Sequence, residues 1–201
     1  MVYSFLARLE QGVIIRESMK TEEHIRRLRD AIDIYEKAMA RYSEPLFRHT
    51  PAQGVWSLSE MYSHIMITDI LGLSSAGKCI RGEGRNRPHS PYLLGRLLLL
   101  SGRFPPFIRF NVPRQLESTV KKISLEEAAA LIAKVRVKLQ HVSQHIAAAS
   151  PGQKIKHPVL GYLNAAEWVR FVQIHTEHHL GQLNRIEKLL QQSRNGPEPG
   201  S

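Results

Sequence analysis

Between Asn164 and Gln191 the chain contains no proline, and apolar residues recur at helical spacing. Ala165, Trp168, Val172, Leu183, Ile186 and Leu190 fall on one face of a helix. Such a stripe is stable only when packed against other elements. His175, His179 and Gln182 share that face, whereas Arg170, Glu177, Asn184 and Lys188 lie on the other side. Two imidazoles one turn apart therefore point at the protein's own core. A buried neutral polar group without a partner costs about 1–3 kcal/mol. A shared metal ion is the simplest partner for both rings, because neutral imidazole is a common transition-metal ligand.

Three earlier segments have the same helical character. The first spans about Glu22 to Tyr42, with Ile25, Leu28, Ile32, Tyr35, Met39 and Tyr42 in one stripe. Thr21 is expected to cap it and Pro45 to stop it. The second begins at the capping box Ser57-Leu58-Ser59-Glu60 and ends near Gly82. His64 shares its face with Met61, Ile67, Thr68 and Leu71, and Gly72, Ser75 and Ala76 keep it thin enough for a close helix crossing. The third starts at a capping box of Ser124 and Glu127 and runs to about Ala149, with Leu131, Ile132, Val135, Leu139, Val142 and Ile146 inward. Asn164 and Glu167 cap the fourth. With no strand pattern, internal repeat, phosphate-binding Gly loop or nucleophile elbow, the expected fold class is an all-α four-helix bundle. The expected organisation is an N-terminal extension over residues 1–18, one bundle domain over 19–193 and a disordered tail over 194–201.

The joins differ in length. Residues 83–123 hold Pro88, Pro91, Pro105, Pro106 and Pro113, which forbid a continuous helix, though Tyr92 to Ser101 suits a short one. Gln153 to Leu163 reads as a loop. The net charge of +10 is concentrated in the long connection: residues 81–122 hold nine Lys/Arg against Glu83 and Glu117, a net +7. Such a segment suits an anionic partner, a nucleic acid or a membrane surface included, but a solvated basic surface is the plainer expectation. The aromatics of Arg103-Phe104-Pro105-Pro106-Phe107-Ile108-Arg109-Phe110 are expected to cover the open end of the bundle. A single cysteine, Cys79, excludes an intramolecular disulfide. The early apolar residues are interrupted by Arg8, Glu10, Arg16 and Glu17, unlike a signal peptide, and the longest aliphatic run, Leu97 to Leu100, is too short to span a bilayer. A cytoplasmic protein is expected.

His175 and His179 need a third ligand from elsewhere, and His64, also on an apolar helix face, is the candidate. Three neutral histidines at about 2.0–2.1 Å from zinc leave one position open to water or substrate. Glu60, one turn before His64, is a candidate to orient it, and Gln182 a candidate to hydrogen-bond a bound ligand. His178 is an alternative to His179 but lies toward the polar flank. His141 and His145 form another i, i+4 pair beside Lys134 and Lys138 and read as solvated. Cys79 follows His64 by fifteen residues. That is about 22 Å along a helix, too far to share its metal.

Trp56-Ser57-Leu58-Ser59-Glu60 followed by His64 resembles the first-histidine motif of the DinB/YfiT-like superfamily. His157-Pro158-Val159-Leu160-Gly161, then Glu167-Trp168, then His175-Thr176-Glu177-His178-His179-Leu180-Gly181-Gln182 resembles its C-terminal motif, and the match spans roughly residues 20–192. The resemblance implies an up-down-down-up bundle with a three-histidine divalent site, often nickel or zinc, and carries the ligands over to His64, His175 and His179. It also implies small-molecule chemistry. Relatives include thiol-dependent S-transferases using bacillithiol and a mycothiol-dependent isomerase, and several members are homodimers. The long basic connection departs from the compact members. Two functions are thus in view: a metal-dependent S-transferase or hydrolase, or a non-catalytic module that binds nucleic acid or an acidic membrane through residues 81–122.

Overall fold

The computed structural model describes residues 2–86, 91–104 and 120–195, and the side chains of 19–86, 91–104 and 120–192. In order, the elements are α1 (Val2–Met39), α2 (Glu44–Arg48), α3 (Leu58–Ile80), β1 (Arg85–Asn86), α4 (Leu93–Ser101), α5 (Leu125–His145), a 3-10 turn (Ile146–Ala148), β2 (Gln153–His157), β3 (Gly161–Leu163) and α6 (Ala165–Asn195).

Three reciprocal caps set where three of the four long helices begin. Ser57 Oγ accepts from Glu60 N at 3.2 Å while Ser57 N donates to Glu60 Oε2 at 2.9 Å. Ser124 and Glu127 open α5 in the same way, and Asn164 and Glu167 open α6. Each pair satisfies two amide donors that the first turn leaves without a helical partner.

Side-chain contacts fix the directions. His24, Arg27 and Arg41 of α1 meet Arg170, Glu177 and Glu187 of α6, so the two helices run together. His64 and Cys79 of α3 meet His175 and the carbonyl of Leu163, so α3 runs against α6. Ser59 Oγ bonds the backbone of Ile123 at 2.6 Å, which places the starts of α3 and α5 at one end. The result is an up-down-down-up four-helix bundle of α1, α3, α5 and α6. Helices α3 and α5 are parallel, and only a long connection joins parallel helices. The core contains Leu28, Ile32, Tyr35, Tyr62, Ile65, Ile132, Val135 and Val172. Tyr62 donates to the Tyr35 carbonyl at 2.7 Å and Tyr35 to that of Thr176 at 3.0 Å, so both buried hydroxyls are paired.

The sequence expectations need four corrections. Helix α1 does not begin at Thr21 but runs through it from Val2, and Thr21 is buried rather than a cap. Pro45 does not merely stop a helix that extends to Tyr42: α1 ends at Met39, and Pro45 sits in the first turn of α2, where its missing N–H is harmless. Helix α6 continues past Gln191 to Asn195; residues 196–201 of the expected tail lie outside the described residues. Gln153 to Leu163 is not a loop but a hairpin, which β1 extends into an antiparallel sheet of order β1-β2-β3. Its turn is built from a side chain, because His157 Nδ1 accepts the amides of Val159 and Leu160, both at 3.1 Å. Gly161 follows at φ +88°, where its absent Cβ lets the Tyr92 backbone approach. Of the connection, α4 forms as expected, and residues 105–119 lie outside the described residues.

Gly72 is where α3 meets α6 most tightly: a Cβ there would lie 2.4 Å from Val172 Cγ2. Gly72→Ala is expected to lower stability by about 1–3 kcal/mol, because the clash outweighs the gain in helix propensity. Gly77, on the same helix, would place its Cβ 3.4 Å from the flexible end of Arg81. Gly77→Ala is therefore expected to be neutral or stabilising. Thermal melts of both variants check the pair, and equal shifts would contradict the close crossing.

Candidate metal centre

His64 projects from α3 and His175 and His179 from α6 into one place. One ring nitrogen from each lies within 4.8 Å of the others, and His64 and His175 are buried. His64 Nε2 and His175 Nε2 are 3.2 Å apart. Two nitrogens each about 2.0–2.1 Å from one tetrahedral ion are separated by roughly 3.3 Å, so this spacing suits a shared cation.

The far edges of two rings are held, which decides where their lone pairs point. His179 Nδ1 donates to Gln182 Oε1 at 2.7 Å, leaving its Nε2 unprotonated. His175 Nδ1 faces Asp69 Oδ1 at 3.4 Å. Asp69 is fully buried, and burial holds its carboxyl well above the usual range. Thr176 Oγ1 lies 2.7 Å from the Val172 carbonyl and 2.9 Å from Asp69 Oδ2. A hydroxyl has one hydrogen, and the carbonyl can only accept it, so a protonated Asp69 completes the chain. His64 Nδ1 is buried without a partner among the described residues.

Burial keeps all three rings neutral. It lowers His64 and His175 to about 3 and His179 to about 2, with neighbouring imidazoles contributing less. Neutral imidazole is the ligating form, so no proton need leave at neutral pH for a cation to bind. The donor set of three nitrogens with no thiolate fits zinc or nickel. Aromatic rings border the cluster: Trp56 lies 5.2 Å from His64, Phe171 5.9 Å from His175, and Phe104 6.5 Å from His175.

The remaining expected site residues fall into place individually. Glu60 does not orient His64; its carboxylate is taken up by Ser57, and among the described residues His64 Nδ1 has no partner. Gln182 does reach the site, but it holds His179. His178 is exposed and packs on Phe104 at 4.8 Å, outside the cluster. His141 and His145 are exposed. Cys79 is buried, with Sγ 3.7 Å from the Leu163 carbonyl, and burial pushes its thiol up to about 11. Sequence reasoning missed Asp69 and Thr176. One signal was available: Asp69 and Glu60 are the only acids in Leu58–Ile80, and Asp69 has no cap to explain it.

An up-down-down-up bundle with three neutral imidazoles converging from two helices defines a class compatible with divalent-metal binding. The family model described as the DinB superfamily matches residues 27–183, and the chain belongs to that superfamily. Among solved structures it is similar to TT2238, described as a four-helix bundle protein, with 19% identity, a TM-score of 0.53, and coverage of 82% of this chain and 98% of that one. That likeness shows the fold. None of the curated proteins compared matches the chain. Among the described residues no helix is long and apolar enough to cross a membrane.

Proposed function

We propose that this chain is a divalent-metal-dependent S-transferase in which His64, His175 and His179 hold the ion. The observation that carries the proposal is the convergence of three neutral imidazoles, two of them buried and the third half-buried, with no fourth protein ligand among the described residues. A divalent ion there supplies Lewis acidity to a thiol or a water occupying the open position.

The thiol version is favoured over hydrolysis by the surroundings. Water attack benefits from a general base facing the open side. Asp69, the carboxyl in contact with the cluster, touches the opposite edge of His175 and is already bonded through Thr176. A low-molecular-weight thiol loses its proton to solvent, after which its sulfur attacks the electrophile and the leaving group departs with the displaced electron pair. Cys79 is not that sulfur, being buried and turned to Leu163, so the thiol arrives as a substrate. Trp56, Phe104 and Phe171 offer aromatic surface to the apolar body of the electrophile.

The test is a screen of low-molecular-weight thiols against apolar electrophiles with zinc- and nickel-loaded protein. Metal-dependent thiol consumption that stops on chelation is the expected result. Ester or amide hydrolysis without loss of thiol would replace transfer by the hydrolase chemistry.

A further inference from the structure

On the α1–α4–α6 side of the bundle, away from the three histidines, lies a cavity of about 390 Å³. Lys20, His24, Arg96, Leu100, Glu167 and Arg170 are among its walls. Arg170 is half-buried, yet among the described residues its hydrogen bonds go to neutral acceptors: the Leu99 carbonyl at 3.4 Å, His24 Nδ1 at 3.2 Å and Gln173 Oε1 at 2.7 Å. His24 is kept neutral by burial and by the charges of Arg170 and Arg27. Among the described residues no carboxylate lies within ion-pair distance of Lys20, Arg96 or Arg170; Arg27 is paired with Glu177 instead. Among the described residues the one acid in the wall, Glu167, accepts the Asn164 amide as part of the helix cap. The cavity therefore has an excess of fixed positive charge, and its guanidinium is oriented before any anion arrives.

The rim of this cavity is apolar where a soluble surface is usually polar. Gly95 of α4 presses on the Leu160 carbonyl, where a Cβ would come within 2.5 Å, and Leu98 is buried, so the opposite face of the helix points outward. That face presents Leu93 at 73% exposure, Leu97 at 54% and Leu100 at 79%, with Arg96 between them. Residues 84–116 contain six Lys/Arg and no acid at all.

We propose that α4 docks this chain on an anionic phospholipid surface, with Leu93, Leu97 and Leu100 entering the acyl boundary and the Lys20–Arg96–Arg170 cavity receiving a headgroup phosphate. A short helix with an apolar outer face and basic flanks lies in a bilayer interface and is strengthened there by anionic lipid. A second copy of the chain is the poorer occupant, because a two-fold interface sets the same patch against itself and would oppose like charges. Nucleic acid meets the cations but offers no apolar phase to three exposed leucines. The docking does not rest on the metal assignment.

The experiment is co-sedimentation of the full chain with phosphatidylcholine vesicles with and without phosphatidylglycerol, at low and high salt, with and without chelator. Binding is expected only to the anionic vesicles, falling with salt and indifferent to chelator. Arg96→Glu is expected to weaken it roughly tenfold or more. Leu97→Glu combined with Leu100→Glu is expected to abolish it while melting temperature stays unchanged, since both positions are exposed. Equal binding to both vesicle types, or undiminished binding by the leucine variant, would overturn the docking. So would thermal stabilisation by inorganic phosphate or single-stranded DNA in a chain that no vesicle retains.

Discussion

His175→Ala, purified beside His141→Ala, is expected to lose stoichiometric zinc or nickel while the second variant keeps it. The two substitutions remove the same side chain from helices of the same bundle, so any general effect of losing a histidine cancels. They differ in what the ring faces. His175 is buried, 3.2 Å from His64 and backed by Asp69, whereas His141 is exposed and its ring packs on that of His145 at 4.5 Å. Removing His175 leaves His64 and His179, two ligands on separate helices. It also leaves Asp69 without its imidazole partner. Loss of one of three ligands in a site of this kind is expected to weaken affinity by several powers of ten. Equal metal content in the two purified proteins would remove the basis for a three-histidine site.

How far the sequence led can be seen in particular residues. The three long helices that open on reciprocal caps were legible because the cap is a local device: Ser57 with Glu60, Ser124 with Glu127 and Asn164 with Glu167 lie three residues apart and act within one turn. The face of His175 and His179 was legible for the same reason, since 3.6-residue periodicity needs no knowledge of the rest of the fold. The meeting of that face with His64 was not periodic information. His64 is a candidate by its own apolar helix face, the motif resemblance strengthens it, and the structure brings the three rings together. The hairpin escaped because its turn depends on His157 accepting two backbone amides, a tertiary use of a residue that composition marks only as polar. Asp69 escaped because its partners lie 106 and 107 positions away, on another helix. Glu60 is the opposite case. A carboxylate one turn from a candidate ligand invited a role at the metal, but the cap that was already legible accounts for it fully.

Freed of metal, the protein is expected to lose several kcal/mol of stability between pH 7 and pH 5, and added zinc to raise its stability at both pH values. The sign follows from where the protons go. An imidazole free in the unfolded chain titrates near 6.5, while burial lowers His64 and His175 to about 3 in the fold. Between those values the unfolded state binds a proton that the native state refuses, so stability is intact above about pH 6.5 and falls as the solution is acidified. By pH 5 each fully buried ring contributes a loss of about 2 kcal/mol. His24 and His157, lowered to about 4 by burial, and His179, lowered to about 2, act in the same direction. Asp69 acts in the other. Its raised carboxyl keeps a proton in the fold that the unfolded chain releases, but it is one group against several. A cation on the three nitrogens binds the native state alone, and the native rings are neutral at both pH values, so it raises stability at pH 5 as well as at pH 7. Denaturant titrations of chelator-treated protein at the two pH values, with and without zinc, measure both effects. A stability independent of pH over that range would mean that the three imidazoles are open to water rather than enclosed in the bundle.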